Sequence, residues 1–496
     1  FPYGIGWSVA SGDFNGDSLS DAVASNSSHG VFLYYGNNKI PTIPDQILTD
    51  PGGEIGFGYR VASACDVNND GFDELMVAKD RGDERIYLYM GTSQGLSNSP
   101  DIILTPPNGH SPGSLIGLGI SSGNINGDEF DDIFAWGSDT VDYFCVYYGS
   151  PSGVESSPSF SFTYPEEMKF ANASIVGDLN NDGLDEIAVA NFPPTLGLWT
   201  INIYYGSSNG TITDVEVLSI YNPSPVLFLI VQLVSAGDLN GDGISDVLVG
   251  CQGADGIYPD EGKTYIVYGS RDGLSDSPDV TIDSPYPRQH DGFGSAVDSI
   301  DDFNFDGYDD IVIGCPYGKY ASIYNGSSEG ISDIPALTFF ESGWLGWSVS
   351  HVGDMKGNGQ NFIIIGEEFG NAYLYAHKDT DLDGVVDLED NCPYDYNPSQ
   401  DNTDGDELGD VCDNCSNSIF YETVIIECCD IKILNVLFDD GCTMIDLIYN
   451  CSEEIKNNGG FTGCVAKLTN EWKKGELISG REKSAIQRCV AQSNKQ

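Results

Sequence analysis

Through the first 376 positions the apolar residues fall in short runs rich in Val, Ile, Tyr and Phe, separated by clusters of Gly, Asn, Asp and Ser. Runs of that length bounded by turn residues predict β-strands. One block shows the order: Tyr59 to Ala64, a nine-residue acidic loop, Leu75 to Ala78, Ile86 to Met90, a Gly-Thr-Ser-Gln-Gly turn, then Asp101 to Leu104. That is four strands. Third strands end in Tyr-Gly or its equivalent, as in Phe32 to Gly36, Tyr143 to Gly149, Ile203 to Gly206 and Tyr265 to Gly269, and the glycine closes each into a turn. The longest apolar run, Val226 to Val234, is too short to span a bilayer and reads as a buried strand.

The acidic loop is what repeats. It starts at Asp13, Asp66, Asn124, Asp178, Asp238 and Asp302, and in decayed form at Asp354, at intervals of 53, 58, 54, 60, 64 and 52 residues. A period of that size fits one four-stranded sheet, which cannot bury both faces alone. Seven such sheets packed radially make an all-β, seven-bladed β-propeller over residues 1–378. The seventh block is short. After Ala372 to Tyr375 the expected turn gives way to Ala376-His377-Lys378, and nothing upstream of Trp7-Ser8-Val9 supplies a fourth strand. Three readings stay open: a tolerated short edge, the chain's own Ile419 to Phe438 folding back, or a strand from another molecule, which would build a filament.

Composition sharpens the loops' meaning. With 76 Asp and Glu against 21 Lys and Arg, the formal charge of -55 argues against nucleic acid or direct membrane insertion and makes cations the natural partners. Loop positions 1, 3, 5 and 9 offer side-chain oxygens for a hard cation, with the position-7 carbonyl and a glycine at position 6 completing the turn. The ligand sets are Asp13, Asn15, Asp17 and Asp21; Asp66, Asn68, Asp70 and Glu74; Asn124, Asn126, Asp128 and Asp132. They continue with Asp178, Asn180, Asp182 and Glu186; Asp238, Asn240, Asp242 and Asp246; Asp302, Asn304, Asp306 and Asp310. Ser18 and Glu129 replace the usual glycine in loops one and three. An Asp/Asn-rich turn capped by its own side chains is the alternative for any single loop. In the seventh loop Lys356, Asn358 and Phe362 replace ligands, so no calcium is expected there, the ammonium taking the ion's place.

The Gly-Phe-Gly of Gly56 to Gly58 and of Gly292 to Gly294, each preceding an acidic loop, resembles the FG-GAP repeat of the integrin α-subunit propeller. The resemblance covers roughly residues 1–376. It implies a calcium-binding propeller, in a family that includes receptors, adhesins and enzyme appendages.

From Asp379 the chain reads DTDLDGVVDLEDNCPYDYNPSQDNTDGDELGDVCDNC, which resembles a thrombospondin type 3 repeat, a calcium stalk over residues 379–415. The resemblance implies two ligand sets, Asp379, Asp381, Asp383, Asp387 and Asp390, and Asn402, Asp404, Asp406, Asp410 and Asp413, with Cys392 and Cys412 bonded. A Cys-rich segment follows over 416–496, with strands expected at Ile419 to Ile426 and Ile431 to Phe438. A two-helix, two-disulfide cap is expected from Gly441. Nine of the 13 cysteines lie between 392 and 489, which reads as an oxidising, extracellular setting, and the odd count leaves one thiol unpaired or bonded to another chain. Sequons at Asn26, Asn172, Asn209, Asn325, Asn414 and Asn450 are candidate glycosylation sites. No secretory leader is visible, as expected of a chain numbered from its mature end.

Catalytic patterns are missing: no G-x-S-x-G, no H-E-x-x-H, no phosphate loop and no zinc spacing. His29, His110, His290, His351 and His377 read as turn or surface residues. The expectation is a secreted or cell-surface, non-catalytic, calcium-binding structural or adhesive protein, about six Ca2+ in the propeller and more in the stalk. Its partners are extracellular protein or glycan ligands, or further copies in a fibre. A lectin-like glycan-binding module is the alternative, and a hydrolase using the propeller rim a third reading.

Overall fold

The computed structural model describes residues 5–26, 30–37, 39–53, 56–80, 85–108, 110, 119–139, 141–163, 169–192, 198–208, 210, 212, 215–221, 231–376, 380–381, 385, 387, 390–406, 408–418, 420–426, 429–438, 440–454 and 458–493. Two compact units divide it, Phe1–His377 and Lys378–Gln496.

In the first unit, strands adjacent in sequence pair antiparallel into six four-stranded sheets and one three-stranded sheet. The second blade pairs Phe57–Cys65, Glu74–Lys79, Arg85–Tyr89 and Ile102–Leu104 in simple order. Its Phe57-Gly58 stretch leads the inner strand, with Gly58 at φ 84°, a conformation that favours glycine. The second strand of a blade is buried end to end, as in Asp21–Asn26 and Phe362–Glu367, because neighbouring blades cover both faces. The hydrophobic core therefore lies between blades. Val23 and Leu33 meet Val61 and Val77 between blades one and two, and Ile323 meets Ile365 between six and seven. Val9 and Ala22 meet Val352 and Phe362 between blades seven and one, which closes the ring. Ser11 Oγ donates to the His351 carbonyl at 2.6 Å across the same seam. This is a seven-bladed β-propeller.

Blade seven holds Leu345–Gly353, Phe362–Glu367 and Ala372–Ala376, and among the described residues its outer strand pairs on one side only. Within the stretch Ile419 to Phe438, Thr423–Ile426 and Cys429–Leu434 pair with each other as a hairpin. Of the run Val226 to Val234, residues 226–230 lie outside the described residues, and the rest opens the strand Val231–Gly237.

The second unit packs that hairpin against three helices, α1 (Met444–Glu454), α2 (Asn458–Lys474) and α3 (Gly480–Ser493), around Ile426, Ile448, Val465, Trp472 and Val490. The expected two-helix cap is thus corrected to three. The missed helix, α1, opens on a capping box in which Thr443 N–H donates to Asp446 Oδ2 at 2.7 Å and Asp446 N–H to Thr443 Oγ1 at 3.3 Å. Helix α3 opens the same way on Ser479 and Glu482. Among the described residues four disulfides are present: Cys392–Cys412, Cys415–Cys442, Cys429–Cys489 and Cys451–Cys464. Only the last is internal to the region after Gly441. Two bridges instead tie that region to residues before it, a connectivity that spacing cannot decide.

Candidate functional site

Each acidic loop joins the inner strand of a blade to its second strand, and the local hydrogen bonds follow from the Asp/Asn pattern. In loop five, Asp238 Oδ1 accepts from the N–H groups of Gly241 and Asp242 at 2.7 and 3.0 Å, and Oδ2 from Gly243 at 2.8 Å. Asn240 Oδ1 accepts from Asp242 N–H at 2.9 Å. These contacts fold the chain into successive Asx turns that gather the position 1, 3 and 5 oxygens on one loop. Loops two, four and six repeat the bond from position-6 N–H to position-1 Oδ2 at 2.8 Å, and loop one keeps it with Ser18 at φ 66°. Loop three departs from it. Its Asn124 donates Nδ2 to the Asp128 carbonyl at 2.7 Å instead, and Glu129 does not adopt the left-handed backbone of the glycines.

The position-9 carboxylates have a different placement from positions 1, 3 and 5. Asp21, Glu74, Asp132, Glu186, Asp246 and Asp310 are fully buried at the start of the second strands. Asp246 Oδ2 accepts from Leu239 N–H at 3.0 Å and Oδ1 from Gly269 N–H at 2.9 Å, the glycine that ends the third strand. Asp21, Asp132 and Asp310 make the same pair of bonds, to Phe14 and Gly36, Ile125 and Gly149, and Phe303 and Gly326. Each thus satisfies two backbone donors, one in the loop and one in the following turn. Burial pushes Asp132 and Asp246 up to about 7, and Asp21, Glu74, Glu186 and Asp310 to about 8.

Position 8 carries a role that sequence reading missed. Asp73 Oδ2 accepts from Asp13 N–H at 2.7 Å, Asp131 Oδ2 from Asp66 at 3.3 Å, Asp185 Oδ2 from Asn124 at 2.7 Å and Asp309 Oδ2 from Asp238 at 2.7 Å. Each ties one blade's loop to the loop before it, so the acidic loops form a linked chain around one end of the ring. The signal was the doubled acid, Asp-Glu or Asp-Asp, that closes these loops in the sequence. Loop seven keeps the backbone without the full set of side-chain oxygens. Asp354 accepts from Lys356, Gly357 and Gly359, while Lys356 Nζ donates to Gln360 Oε1 at 3.1 Å and lies 5.0 Å over the buried Phe362 ring.

In the second unit Thr380 donates both its N–H and Oγ1 to Asp387, and Thr403 does the same to Asp410, seven residues on in each case. Asp404, Asp406 and Asp413 bring one carboxylate oxygen each within 4.8 Å of the others. They are the one such triad among the described residues. Asp406 Oδ2 and Asp413 Oδ2 are buried with no hydrogen-bond donor, and burial together with Asp406 and Asp404 raises the Asp413 carboxyl. Among the propeller loops, Asn180 Oδ1 is likewise a buried acceptor with no donor. Oxygen-only donor sets with unspent acceptors fit a hard divalent cation such as calcium. Asp381 and Asp390 are described, whereas Asp379 and Asp383 lie outside the described residues.

The remaining candidates sort by burial. Asn26 and Asn172 are 5% and 8% exposed within strands, which leaves no room for a glycan and corrects those two sequons. Asn414 and Asn450 are exposed, Asn325 is half-buried, and Asn209 lies outside the described residues. The thiols of Cys65, Cys145, Cys251 and Cys315 are free, and burial pushes each up to about 12, so they are poor nucleophiles. Cys428, His29 and His377 lie outside the described residues. His110, His290 and His351 each face an aspartate, Asp139, Asp260 and Asp301.

Comparison with known proteins agrees with this geometry. The FG-GAP-like repeat profile matches residues 178–249 and the FG-GAP repeat profile residues 57–95. Integrin alpha-5 of Xenopus laevis is 28% identical over 221 residues, 40% of this chain and 20% of that protein. Integrin alpha-PS3 of Drosophila melanogaster is 33% identical over 155 residues, 29% of this chain and 14% of its own. Phosphatidylinositol-glycan-specific phospholipase D of Rattus norvegicus is 31% identical over 158 residues, 28% of this chain and 18% of its own. The chain therefore spans a fifth or less of these relatives' length. It carries FG-GAP repeats on a seven-bladed propeller and has integrin α chains among its homologues.

Proposed function

We propose that this chain is an extracellular, calcium-loaded structural or adhesive module without catalytic activity, and that its copies join through the open edge of blade seven. The observation that carries the calcium reading is the sixfold repetition of an oxygen-only loop whose buried position-9 carboxylates are held by backbone donors. Calcium there would be held by Asp238, Asn240 and Asp242 and their equivalents, and in the second unit by Asp404, Asp406 and Asp413. It supplies charge neutralisation and rigidity. Four disulfides and a propeller related to those of integrin α chains support an extracellular setting. Among the described residues no helix is long and apolar enough to cross a membrane.

Self-assembly is supported by the outer strand Ala372–Ala376, which among the described residues pairs on one side only and so offers a row of backbone donors and acceptors of the kind that extended segments of other chains complete. Electron microscopy of the purified protein with calcium, and again after chelation, tests both parts. Filaments that need calcium and vanish in Tyr373→Lys, which sets a charge on that edge, are the expected result. Single compact rings in calcium, with blade seven protected from hydrogen exchange, would instead mean that the edge is covered within one molecule.

A further inference from the structure

The seven inner strands surround a channel of about 130 Å³, lined by apolar side chains such as Val61 and Leu233 and by neutral polar ones such as Asn172, Ser174 and Gln232. One charged residue projects into it, Arg60. At the channel mouth a pocket of about 90 Å³ sets Arg60 among Trp7, Tyr59, Trp347, Gln232 and Gln252. The Trp7 ring lies 5.4 Å from Trp347, 5.8 Å from Tyr59 and 6.4 Å from Phe369, and Phe369 is 74% exposed at the rim.

In a chain with 76 acidic residues, a basic side chain would be expected to have found an acid. Arg60 has none: no carboxylate among the described residues pairs with it. The acidic loop of its own blade begins six residues further along the inner strand, about 20 Å away at the rise of an extended strand, so that loop does not neutralise it. The side chain is half-buried, and desolvation lowers its pKa. A partly desolvated charge without a counter-ion adds nothing to the fold that keeps it, and a glutamine would fill much of the same space at less cost. The pocket's other functional groups are two carboxamides and flat aromatic faces. Guanidinium and carboxamides together recognise a carboxylate through directed hydrogen bonds, and aromatic faces recognise the C–H face of a pyranose ring.

We infer that the channel mouth is a binding site for an acidic saccharide, with the sugar carboxylate on Arg60 and the Gln232 and Gln252 amides, and the ring against Trp347, Trp7 and Phe369. The site lies at the opposite end of the inner strands from the cation loops, and goes beyond the assembly reading, which concerns the outer edge of blade seven.

Glucuronate, glucose and acetate titrated into the full, calcium-loaded chain, followed by saturation-transfer NMR and calorimetry, test it. Glucuronate is expected to bind, with glucose and acetate each at least about tenfold weaker, the factor carried by one charge-assisted hydrogen-bonded pair. Arg60→Gln should lose that factor while its thermal midpoint stays level or rises, a combination that a structural role for Arg60 would not give. Phe369→Ala, at an exposed rim position, should weaken glucuronate several-fold without affecting the fold. No detectable glucuronate binding, equal binding of glucose, equal binding of acetate, or unchanged affinity in both variants would each overturn the proposal. None of these outcomes depends on whether the protein forms filaments.

Discussion

Blades one to six and blade seven share a backbone and hold it by different chemistry. In the first six, the second strand opens on a buried carboxylate, which in blades one, three, five and six takes two backbone hydrogen bonds, beside a loop with further acids. In the seventh, Phe362 stands where that carboxylate would be, 5% exposed, with the Lys356 ammonium over its ring. The same turn geometry persists, since Asp354 still accepts from Gly359 N–H at 2.6 Å. An apolar ring and a resident ammonium therefore suffice where the other loops present a concentration of negative charge. The difference teaches that the repeated acids are not needed to make the turn. On the proposed reading, they are what would make six of the turns responsive to cations.

The largest effect that would sharpen this contrast is calcium removal. Each occupied site stabilises by about 2.7 kcal/mol at a hundredfold excess over Kd, so stripping six sites should lower the unfolding midpoint steeply. Hydrogen exchange in EGTA should accelerate first in the strands after loops one to six and leave Phe362–Glu367 nearly unchanged. Uniform acceleration across all seven blades would remove the distinction.

The pH response of the chelated protein comes next. The position-9 carboxyls sit at about 7 to 8 in the folded chain, above their ordinary range near 4, because burial disfavours the charge. Below pH 4 both folded and unfolded chains hold these protons, and the stabilisation is fully present. Between about pH 4 and 8 the unfolded chain releases them first, so stability falls as pH rises, and the contribution is gone above about 8. Thermal melts in EGTA from pH 5 to 8 should show this decline, and melts in calcium should show it reduced or reversed, because the cation favours the ionised form. Parallel profiles with and without calcium would count against cation binding by these loops.

A single-site test is smaller. Asp310→Ala leaves the N–H groups of Phe303 and Gly326 without their acceptor, at a cost of about 1–3 kcal/mol for each buried donor left unpaired. It should also reduce the calcium-dependent part of stability, as read by melts with and without the ion. Asp309→Ala should cost about 1 kcal/mol by freeing Asp238 N–H at the seam between blades five and six. The loss should appear in hydrogen exchange of loop five.

Most of the propeller was legible because its period is long and its signals are redundant. An apolar run such as Leu75 to Ala78 and an Asp/Asn-rich loop before it recur from block to block, so no single ambiguous residue decides the fold. The Asx-turn pattern at Asp238, Asn240 and Asp242 was legible for the same reason. What escaped was set by contacts between blocks rather than within them. Asp73, Asp131, Asp185 and Asp309 read as extra acidity until the ring brings each against the loop before it. Helix α1 was missed because Cys442-Thr443-Met444 reads as loop until Thr443 and Asp446 are seen to cap it. The bridges from Cys415 to Cys442 and from Cys429 to Cys489 depend on how the hairpin lies on the helices. Arg60 gave no signal at all, since a lone arginine in a strand acquires meaning only when the inner strands converge on it.

The smallest predicted effect discriminates most finely between the two kinds of loop. Lys356→Met removes one part-buried hydrogen bond to Gln360 and a cation–π contact, together about 1 kcal/mol, and keeps the aliphatic stem over Phe362. The loss should be the same in calcium and in EGTA, because this loop answers to its own ammonium. The matched change in a neighbouring class is Asn240→Lys, which puts an ammonium at the same loop position of blade five. There the positive charge sits beside Asp238 and Asp242 and competes with the ion, so the variant should be close to wild type in EGTA and weaker by one site's contribution in calcium. If Asn240→Lys is as calcium-responsive as the wild type, the position-3 side chain is not a ligand, and the contrast between blade seven and the others rests on the buried carboxylate alone.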